Sequence, residues 1–298
     1  MRIAILSDVH ANLEALRATL RRISVQGVDR ILCLGDLVGY NADPAACIAL
    51  LRESGAICIA GNHDRAVAGR ITTEGFSTVA ARGVAWTRRR LRGADLDFLA
   101  GLPLQATVED RLVAVHGALL PGGLGCDMTR LDNDDRRRAC LEALLAHPSG
   151  ARICAFGHTH HLGIFELRDG VLRARTAEDQ VVLREDAYYL INPGSVGQPR
   201  SADRRASHLV LDTERRVITV HRTSYDEATA LAKAQRAGLV PTPSAVPAPL
   251  RAALKWGLRN LGLYGPAERL VRAHRRERER HEAATGGTVL SERLRTGG

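Results

Sequence analysis

Short apolar stretches of this sequence end repeatedly in aspartate, asparagine or histidine, which are side chains that can bind metal ions. The clearest case is Gly-His-Thr-His at residues 157–160, directly after the apolar residues 152–156. Two histidines separated by one residue can reach neighbouring ligand positions from a single tight turn. The pair alone is a weak signal, because most histidines are structural, so other stretches must supply further ligands. They offer Asp8, His10, Asp36, Asn62, His63 and His116.

The stretches that precede these side chains predict a parallel sheet. Residues 2–7, 29–34 and 56–60 are typical of buried strands, and residues 12–25 have the leucine spacing of a helix. A second helix is predicted to begin at Pro44, which suits a first helical turn. This β-α-β-α-β series indicates parallel strands covered by helices. Because ligand sites gather at the carboxyl ends of such strands, we expect the polar side chains to meet at one sheet edge.

The residues that follow predict a helical insertion and a second, mostly antiparallel region. Residues 76–101 favour helices over one face, and residues 103–116 favour two strands joined by a turn. A further helix is expected near residues 132–147. Residues 162–222 alternate short apolar runs with turns, and the Asp-Gly step at residues 169–170 is typical of a hairpin. We therefore expect a second sheet that packs on the first.

The composition is that of a soluble globular protein. Hydrophobic residues make up 45% of the 298 residues and charged residues 25%, which allows one large domain or two small ones. No apolar run approaches the roughly 20 residues of a membrane span, and the acid at Asp8 comes too early for a signal peptide. The six cysteines form no Cys-x-x-Cys pair, so we expect packed thiols and a reducing cytoplasm as the compartment.

Much of the net charge of +9 belongs to the end of the sequence. From residue 251 onward 11 lysines and arginines face 5 glutamates, a net charge of +6, which leaves +3 for residues 1–250. Residues 226–298 are predicted to be a helical, basic extension with a proline-rich linker at residues 241–249. Alternating charges in this extension favour a solvated helix. A contact with nucleic acid is the alternative.

In chain order, the predicted strand ends carry Asp-x-His, Gly-Asp, Gly-Asn-His-Asp, His and Gly-His-Thr-His. This series resembles the motifs of the calcineurin-like metallophosphoesterase superfamily over roughly residues 1–225. Each motif alone is common, whereas five in this order, each after a strand, form a specific signal. The resemblance implies an α/β (α+β) fold, a four-layer αββα sandwich of two packed mixed sheets flanked by helices. It also implies that residues 1–225 form the catalytic domain.

The resemblance further implies two divalent metal ions that share Asp36. One ion is expected to bind Asp8, His10, Asp36 and His160. The other is expected to bind Asp36, Asn62, His116 and His158. Carboxylate, imidazole and amide ligands suit manganese, which we expect first, as well as iron, zinc, nickel or magnesium. The absence of cysteine from this set argues against a structural zinc site.

The reaction implied by the resemblance is hydrolysis of a phosphate ester. A metal-bound hydroxide would attack phosphorus in line while the two cations neutralise the phosphoryl oxygens. His63 would lie near the leaving group, and Asp64 would orient His63 and raise its pKa. Candidate substrate contacts are Asn12, Arg65, His161 and Arg200.

Two motifs favour the small bacterial and archaeal phosphodiesterase-like branch of the superfamily. Gly-Asp-Leu-Val-Gly-Tyr at residues 35–40 lacks the further acid and arginine of the protein serine/threonine phosphatases. Asn-Pro-Gly-Ser at residues 192–195 resembles the turn that closes the fold near the active-site edge in that branch. A small departure is Ala11, where the family often has glycine. The resemblance therefore favours a phosphodiester substrate.

The sequence also allows other functions, and it contains further histidines outside the predicted site. One alternative is a nuclease or a hydrolase of nucleotides or dinucleoside polyphosphates, and another is a non-catalytic scaffold with the same fold. We expect specificity to lie in loops near residues 40–43, 65–76, 118–130 and 197–204. Structural or solvated roles are predicted for His147, His208, His221, His274 and His281. No membrane partner is expected, and the sequence does not predict the oligomeric state.

Overall fold

The computed structural model describes residues 1–175 and 179–240 of the chain. Within these residues the strands are β1 (Arg2–Leu6), β2 (Arg30–Cys33), β3 (Ile57–Cys58), β4 (Gln105–Val108), β5 (Leu112–Val115), β6 (Ala118–Leu119), β7 (Cys126–Asp127), β8 (Ile153–Ala155), β9 (Leu162–Arg168), β10 (Val171–Ala174), β11 (Gln180–Val182), β12 (Tyr188–Pro193), β13 (Ala206–Asp212) and β14 (Val217–Thr223). The helices are α1 (Leu13–Ser24), α2 (Pro44–Glu53), α3 (Asn62–Val67), α4 (Thr78–Arg90), α5 (Gly93–Gly101), α6 (Asp134–Leu145) and α7 (Glu227–Arg236). The predicted linker and the rest of the basic extension, with His274 and His281, lie outside the described residues.

The first six-stranded sheet is mixed and has the order β11-β14-β13-β1-β2-β3. β1, β2 and β3 are parallel, as the sequence predicts, and Ile5 of β1 lies opposite Leu32 of β2. β13 pairs with β1 in the antiparallel direction and extends the sheet on its other side. The parallel half of this sheet therefore presents the carboxyl ends of three strands at one edge.

The second six-stranded sheet is also mixed and has the order β10-β9-β12-β8-β5-β4. Its central strands β12, β8 and β5 are parallel, and the outer pairs are antiparallel hairpins. Asp169 has φ +50° and Gly170 has φ +72°, the left-handed conformations that a two-residue hairpin turn requires. The Asp-Gly hairpin is thus present where the sequence predicts it. A separate two-stranded sheet pairs β6 with β7.

The antiparallel region is divided between the two sheets. β9, β10 and β12 belong to the second sheet, whereas β11, β13 and β14 return to the first. Alternation of apolar and polar residues reports which face of a strand is buried, but it does not identify the neighbouring strand. The sequence pattern accordingly predicts these strands without specifying the sheet to which each belongs.

Apolar side chains form three layers of packing, which gives the expected αββα sandwich. Ile3 and Ile5 point to the layer between the sheets, where they join Tyr189 of β12. The alternate residues of β1, which include Leu6, pack under helices of the first sheet. α6 covers the second sheet through residues that include Leu141. Residues of β1 are thus buried on both faces, as in a central strand covered by helices.

Helix α7 belongs to the compact unit that runs from Met1 to Val240. Lys233 of α7 pairs with Asp43 at 3.0 Å and also with Glu14 of α1. α2 begins at Pro44 as predicted, and the side chain of the preceding Asp43 makes no capping bond. No helix among the described residues is long and apolar enough to span a membrane.

Candidate metal centre

The strand ends predicted to carry ligands converge at one edge of the sandwich. Both sheets contribute, because the carboxyl ends of β1, β2 and β3 meet those of β5 and β8. Asp8 and His10 follow β1, and Asp36 follows β2. Asn62 and His63 begin α3 directly after β3, His116 follows β5, and His158 and His160 follow β8. The fold therefore brings together residues that are up to 152 positions apart, from Asp8 to His160.

Five of these residues have backbone conformations that are unusual for side chains other than glycine. The φ angle is +54° at Asp8, +48° at His10, +53° at Asp36, +65° at His158 and +61° at His160. A residue in this left-handed region costs about 1–2 kcal/mol and persists where the surrounding structure enforces it. Such strain after β1, β2 and β8 marks these three turns as functional positions.

Glycines allow the strand ends to approach each other closely. A Cβ atom on Gly61 would lie 2.1 Å from Oδ1 of Asp36, and one on Gly157 would lie 2.1 Å from Oγ of Ser7. These distances are far below van der Waals contact, so any side chain would push the neighbouring turn away. The glycines that precede asparagine and histidine in the sequence motifs are therefore required by packing.

The first ligand cluster contains Asp8, His10, Asp36 and His160, all of them buried, with ligand atoms within 4.8 Å of one another. Nε2 of His160 lies 3.3 Å from Oδ1 of Asp8. Nε2 of His10 lies 3.6 Å from Oδ2 of Asp36 and 3.0 Å from Nε2 of His160. Four donor atoms thus surround one small volume.

Hydrogen bonds fix the protonation of the two histidines in this cluster. Nδ1 of His10 lies 3.2 Å from the carbonyl oxygen of Val38, and Nδ1 of His160 lies 2.8 Å from that of Gln198. A carbonyl oxygen only accepts, so Nδ1 carries the proton in both rings and the two Nε2 lone pairs face each other. Oδ1 of Asp8 is also buried and has no hydrogen-bond partner among the described residues. A cation between these atoms would satisfy all three, so the residues fit a metal ion.

The second ligand cluster contains Asp36, His116 and His158, again within 4.8 Å of one another. Nε2 of His116 lies 3.3 Å from Oδ2 of Asp36 and 3.2 Å from Oδ1 of Asn62. Nδ1 of His116 donates to the carbonyl oxygen of Leu34 at 2.7 Å, which directs Nε2 toward the cluster. Asp36 therefore belongs to both clusters, in the grouping that the family resemblance implies.

Burial and neighbouring charges set the proton affinities of these side chains. Burial lowers the pKa of His10 well below its usual range and lowers those of His158 and His160 to about 3, so these rings are neutral at neutral pH. Burial also opposes a charge on His116, but the carboxylate of Asp36 outweighs it and raises the pKa of His116 to about 9. Neutral imidazole is the form that binds metal ions.

The two aspartates of the first cluster differ in proton affinity. Burial raises the pKa of the Asp8 carboxyl to about 7. Burial would likewise raise the pKa of Asp36, but the neighbouring His116 and His63 hold it well below its usual range. Asp36 is therefore ionised at neutral pH, as a carboxylate shared between two cations must be.

His63 lies beside both clusters and belongs to neither. Its ring centroid is 4.9 Å from that of His10 and 4.7 Å from that of Tyr40. Nδ1 of His63 is buried and has no hydrogen-bond partner in the described part of the chain. Burial lowers the pKa of His63, so the ring is neutral at neutral pH.

Asp64 does not orient His63, and the expectation that it raises the pKa of His63 is wrong. Oδ1 of Asp64 accepts the backbone N–H of Val38 at 3.2 Å, and Oδ2 accepts that of Gly61 at 2.9 Å. Gly61 has no side chain with which to cap α3, so Asp64 reaches back from the first helical turn. Asp64 thus ties the turn after β2 to the start of α3.

The metal clusters open into a cavity of about 580 Å³. Its walls come from the loops in which the sequence predicts specificity, and they include the side chains of Tyr40, Phe76, Arg130 and Arg200. The Tyr40 hydroxyl interacts with the side chains of Arg200 and Ser77. Nη1 of Arg130 donates to the carbonyl oxygen of His158 at 3.3 Å. Two guanidinium groups therefore lie beside the ligand clusters, where an anionic substrate would enter.

Of the four predicted substrate contacts, only Arg200 lines this cavity. Asn12 is buried, where Oδ1 accepts the N–H of Ala15 and Nδ2 donates to the carbonyl oxygen of Gly197. The cap of α1 thus uses this amide, and Asn12 is not among the described residues that line the cavity. Arg65 and His161 are not among the described residues that line the cavity. Arg65 follows Asp64 and His161 follows His160 in the sequence, but this proximity does not bring either side chain into the cavity wall.

The Asn-Pro-Gly-Ser turn closes the site as expected. Oγ of Ser195 donates to the carbonyl oxygen of Asp8 at 2.8 Å, and Nδ2 of Asn192 donates to that of Gly157 at 2.9 Å. One turn therefore joins the ends of β1 and β8. This explains why these polar residues are buried.

Sequence reasoning missed Tyr40, Phe76 and Arg130 as cavity residues. Tyr40 ends the Gly-Asp-Leu-Val-Gly-Tyr motif, so its place beside Asp36 was a usable signal. Phe76 and Arg130 lie in irregular loops, where no periodicity predicts direction. His147, expected to be solvated, is instead buried and bonded to Gln105 and Ser149. His208 and His221 stack on adjacent strands away from the cavity, in keeping with structural roles.

The two packed mixed sheets and the Asp/His clusters at their common edge define a metallophosphoesterase. A calcineurin-like phosphoesterase superfamily domain matches residues 1–216. The chain belongs to this superfamily and is a metal-binding hydrolase.

The chain is similar to individual proteins and solved structures. An uncharacterized protein of Methanocaldococcus jannaschii is 32% identical over 231 residues, which cover 75% of this chain and 88% of that protein. The crystal structure of a metallophosphoesterase from Sphaerobacter thermophilus is similar with a TM-score of 0.64 and 34% identity, over 81% of this chain and 95% of that one. A hypothetical protein from Pyrococcus horikoshii OT3 shares the fold, with a TM-score of 0.63 at 16% identity, over 80% of this chain and 94% of that one.

Proposed function

We propose that this metallophosphoesterase hydrolyses phosphodiesters at a centre of two divalent metal ions that share Asp36. The observation that carries the proposal is the pair of overlapping ligand clusters, in which Asp36 is common to both sets. A carboxylate shared by two sites is the arrangement that holds two cations about 3.5–4 Å apart.

The residues that would hold each cation follow from the two clusters. Asp8, His10 and His160 would complete the first site with Asp36, and Asn62, His116 and His158 would complete the second. Oxygen and imidazole donors without thiolate favour manganese, with iron, zinc, nickel and magnesium as further candidates. When bound, two such cations activate a water molecule and neutralise the charge of the phosphoryl oxygens.

The protein's own side chains would bind and orient the substrate. Arg130 and Arg200 line the cavity, and guanidinium groups bind phosphate oxygens through paired N–H donors. His63 lines the same cavity with Nδ1 buried, so Nε2 is the nitrogen left to face the substrate. From there His63 would donate a hydrogen bond to the leaving oxygen and stabilise its developing charge.

The apolar wall of the cavity supports the proposed diester substrate. A monoester needs space for one organic group only, whereas this cavity continues past the metal ligands along Ile71, Phe76 and Ala80. These apolar atoms favour an organic group rather than a second free phosphoryl oxygen. Both ester substituents can then be accommodated.

Hydrolysis of bis-p-nitrophenyl phosphate and of p-nitrophenyl phosphate by the manganese-loaded protein tests this proposal. We expect higher kcat/KM for the diester, two metal ions per chain by elemental analysis, and loss of both turnover and metal in Asp36→Asn. Preference for the monoester would contradict the substrate assignment. A protein that binds no metal and turns over neither compound would be a non-catalytic scaffold instead.

We also propose that the protein acts in the cytoplasm. The support is that Cys33, Cys58 and Cys154 are buried thiols within strands and their flanking turns, where they fill space in the core. Cell fractionation with an antibody to the chain would test this location.

A further inference from the structure

A strongly basic region lies beside the cavity, and the net charge of the whole chain does not reveal it. Residues 65–92, which we name the arginine segment, carry seven arginines and one glutamate, a net charge of +6. The chain carries +9 and residues 251–298 carry +6, so residues 1–64 and 93–250 together carry 9 − 6 − 6 = −3. The excess positive charge of the first 250 residues is thus confined to this segment. Its arginines are Arg65, Arg70, Arg82, Arg88, Arg89, Arg90 and Arg92.

These arginines are available to a partner. Five of them are exposed, and none of the seven forms an ion pair with any residue that the structure describes. The guanidinium of Arg88 lies against Gly69, next to Arg70, and that of Arg90 lies 4.9 Å from the centroid of the Trp86 ring. Several unpaired cations on one short segment raise the local positive potential and attract an anion.

The second triple-arginine run of the chain shows what a neutralised run looks like. Arg136, Arg137 and Arg138 lie on α6, just as Arg88, Arg89 and Arg90 lie on α4. Arg136 pairs with Asp132 at 2.9 Å and Arg137 with Asp134 at 2.7 Å, while Arg138 donates to the carbonyl oxygen of Gly170 at 3.1 Å. The guanidinium groups on α6 are thus engaged by carboxylate and carbonyl oxygens, whereas those on α4 have no oxygen partner among the described residues.

The arginine segment is continuous with the wall of the catalytic cavity. Residues 71–80 contribute seven of the side chains or backbone segments that line it, and α4 begins at Thr78. With a rise of 1.5 Å per residue, Arg88 lies about 12 Å along the helix from Ala80. A chain of anionic groups that leaves the cavity can therefore pass onto these arginines.

The chemistry of the site identifies the anion. The cavity is built for a phosphate ester, so a polymer that presents phosphate esters at regular spacing matches both the site and the basic surface. Each strand of a nucleic-acid duplex carries a phosphate about every 3.4 Å along the helix axis, and an unpaired strand spreads its phosphates further apart, so a few phosphates span the distance from Ala80 to Arg88. Phe76 on the cavity wall, whose ring centroid is 5.2 Å from that of His63, offers a stacking surface for a base.

We propose that the arginine segment binds the backbone of single-stranded nucleic acid and directs it into the cavity, so that the substrate phosphodiester belongs to an oligonucleotide. A single strand is favoured because most of the metal ligands are buried at the base of a cavity walled by residues 71–77, which a rigid duplex cannot enter. The cleavage step rests on the proposed function. In it, water forms a bond to phosphorus, the bond from phosphorus to the leaving sugar oxygen breaks, and that oxygen takes up a proton.

Binding of the full chain to a labelled oligothymidylate tests the proposal without requiring turnover. Fluorescence anisotropy in the presence of a chelator would be measured for the wild type, for Arg88→Gln/Arg89→Gln/Arg90→Gln, and for the matched control Arg136→Gln/Arg137→Gln/Arg138→Gln. We expect the α4 variant to bind at least tenfold more weakly and the α6 variant to bind like the wild type. For three lost contacts to a single strand, the slope of log affinity against log salt concentration should decrease by about 2.

Control variants and other anionic ligands exclude different explanations of the binding result. Thermal unfolding checks that each variant is folded, and Arg88→Lys/Arg89→Lys/Arg90→Lys should restore binding because the charge is kept. Equal affinities of the α4 variant and the wild type would overturn the proposal. So would equal binding of polyglutamate at matched charge, which would indicate an acidic protein partner, or tighter binding of a duplex of the same sequence.

Kinetics separate this inference from the proposed function. In the α4 variant, kcat/KM for bis-p-nitrophenyl phosphate should be unchanged, while that for an oligonucleotide falls at least tenfold through KM. If the wild type hydrolysed neither compound, the proposed function would fail and the binding result would still decide the inference. An equal decrease for both substrates would show that the arginines support the fold or the metal centre instead.

Discussion

The two ligand clusters that share Asp36 differ in burial and in proton affinity. All four residues of the first cluster are buried, whereas His158 of the second is only partly buried and lines the cavity. The histidines of the first cluster have lowered pKa values, but His116 of the second has a pKa raised to about 9. The comparison suggests a division of labour, in which the first site holds its cation firmly and the second exchanges it with protons and substrate.

Loss of Asp36, the ligand that both clusters share, should empty both metal sites and so remove the difference in cation binding between them. In Asp36→Asn the carboxylate that contacts His10 and His116 is replaced by a neutral amide, which cannot compensate two cations. We expect kcat to fall by about 10³-fold or more, the upper range for removal of one electrostatic contact in an active site. Elemental analysis and turnover of bis-p-nitrophenyl phosphate would measure both effects. Retention of two ions per chain would refute the shared role of Asp36.

Single histidine changes should separate the clusters. His160→Ala removes a ligand of the first cluster and His158→Ala one of the second, although only Thr159 lies between them. Each should weaken one site by more than the 10–100-fold typical of outer partners of metal ligands. Calorimetric titration of metal-free protein with manganese would then show one strong site left in each variant. Loss of both sites in either variant would argue for a single, strongly coupled centre.

His63 lies outside both clusters, so it tests chemistry apart from metal binding. His63→Ala removes the proposed hydrogen bond to the leaving oxygen, and we expect kcat to fall by about 10²-fold, the lower range for proton-transfer groups. The metal content should stay at the wild-type value, because no ligand atom is lost. His63→Gln, which keeps a donor, should recover part of the turnover. A variant that loses metal instead would show that His63 supports the centre structurally.

Both the success and the errors of the sequence predictions have physical causes. Strand ends and ligand types were predictable because buried strands are apolar and their carboxyl ends meet at one edge. The pairing of β13 within the first sheet was not predictable, since the apolar pattern of a strand does not identify the neighbouring strand. The role of Asp64 was misassigned because the backbone N–H groups of Gly61, at the start of α3, and of Val38 bind its carboxylate. The left-handed backbone at Asp8 follows from tertiary packing alone.

The pH dependence of metal binding gives a smaller, graded test of the difference between the two ligand clusters. A cation that enters the second cluster must displace the proton of His116, whose pKa is raised to about 9 in the metal-free protein. Affinity at this site should therefore increase by up to about tenfold per pH unit until about pH 9. At the first cluster, His10 and His160 are already neutral, and the carboxyl of Asp8, with a pKa of about 7, is the group that must lose a proton.

The increase at the first cluster should accordingly end near pH 7, two units earlier than at the second. Competition between the protein and a chromogenic chelator would measure both dependences, with His158→Ala isolating the first site and His160→Ala the second. The same titration in buffers of different ionisation enthalpy counts the protons released. We expect about one proton per cation from the second site at neutral pH, because His116 is then charged. Parallel pH profiles for the two variants would mean that the clusters titrate as one unit and that their difference lies in burial alone.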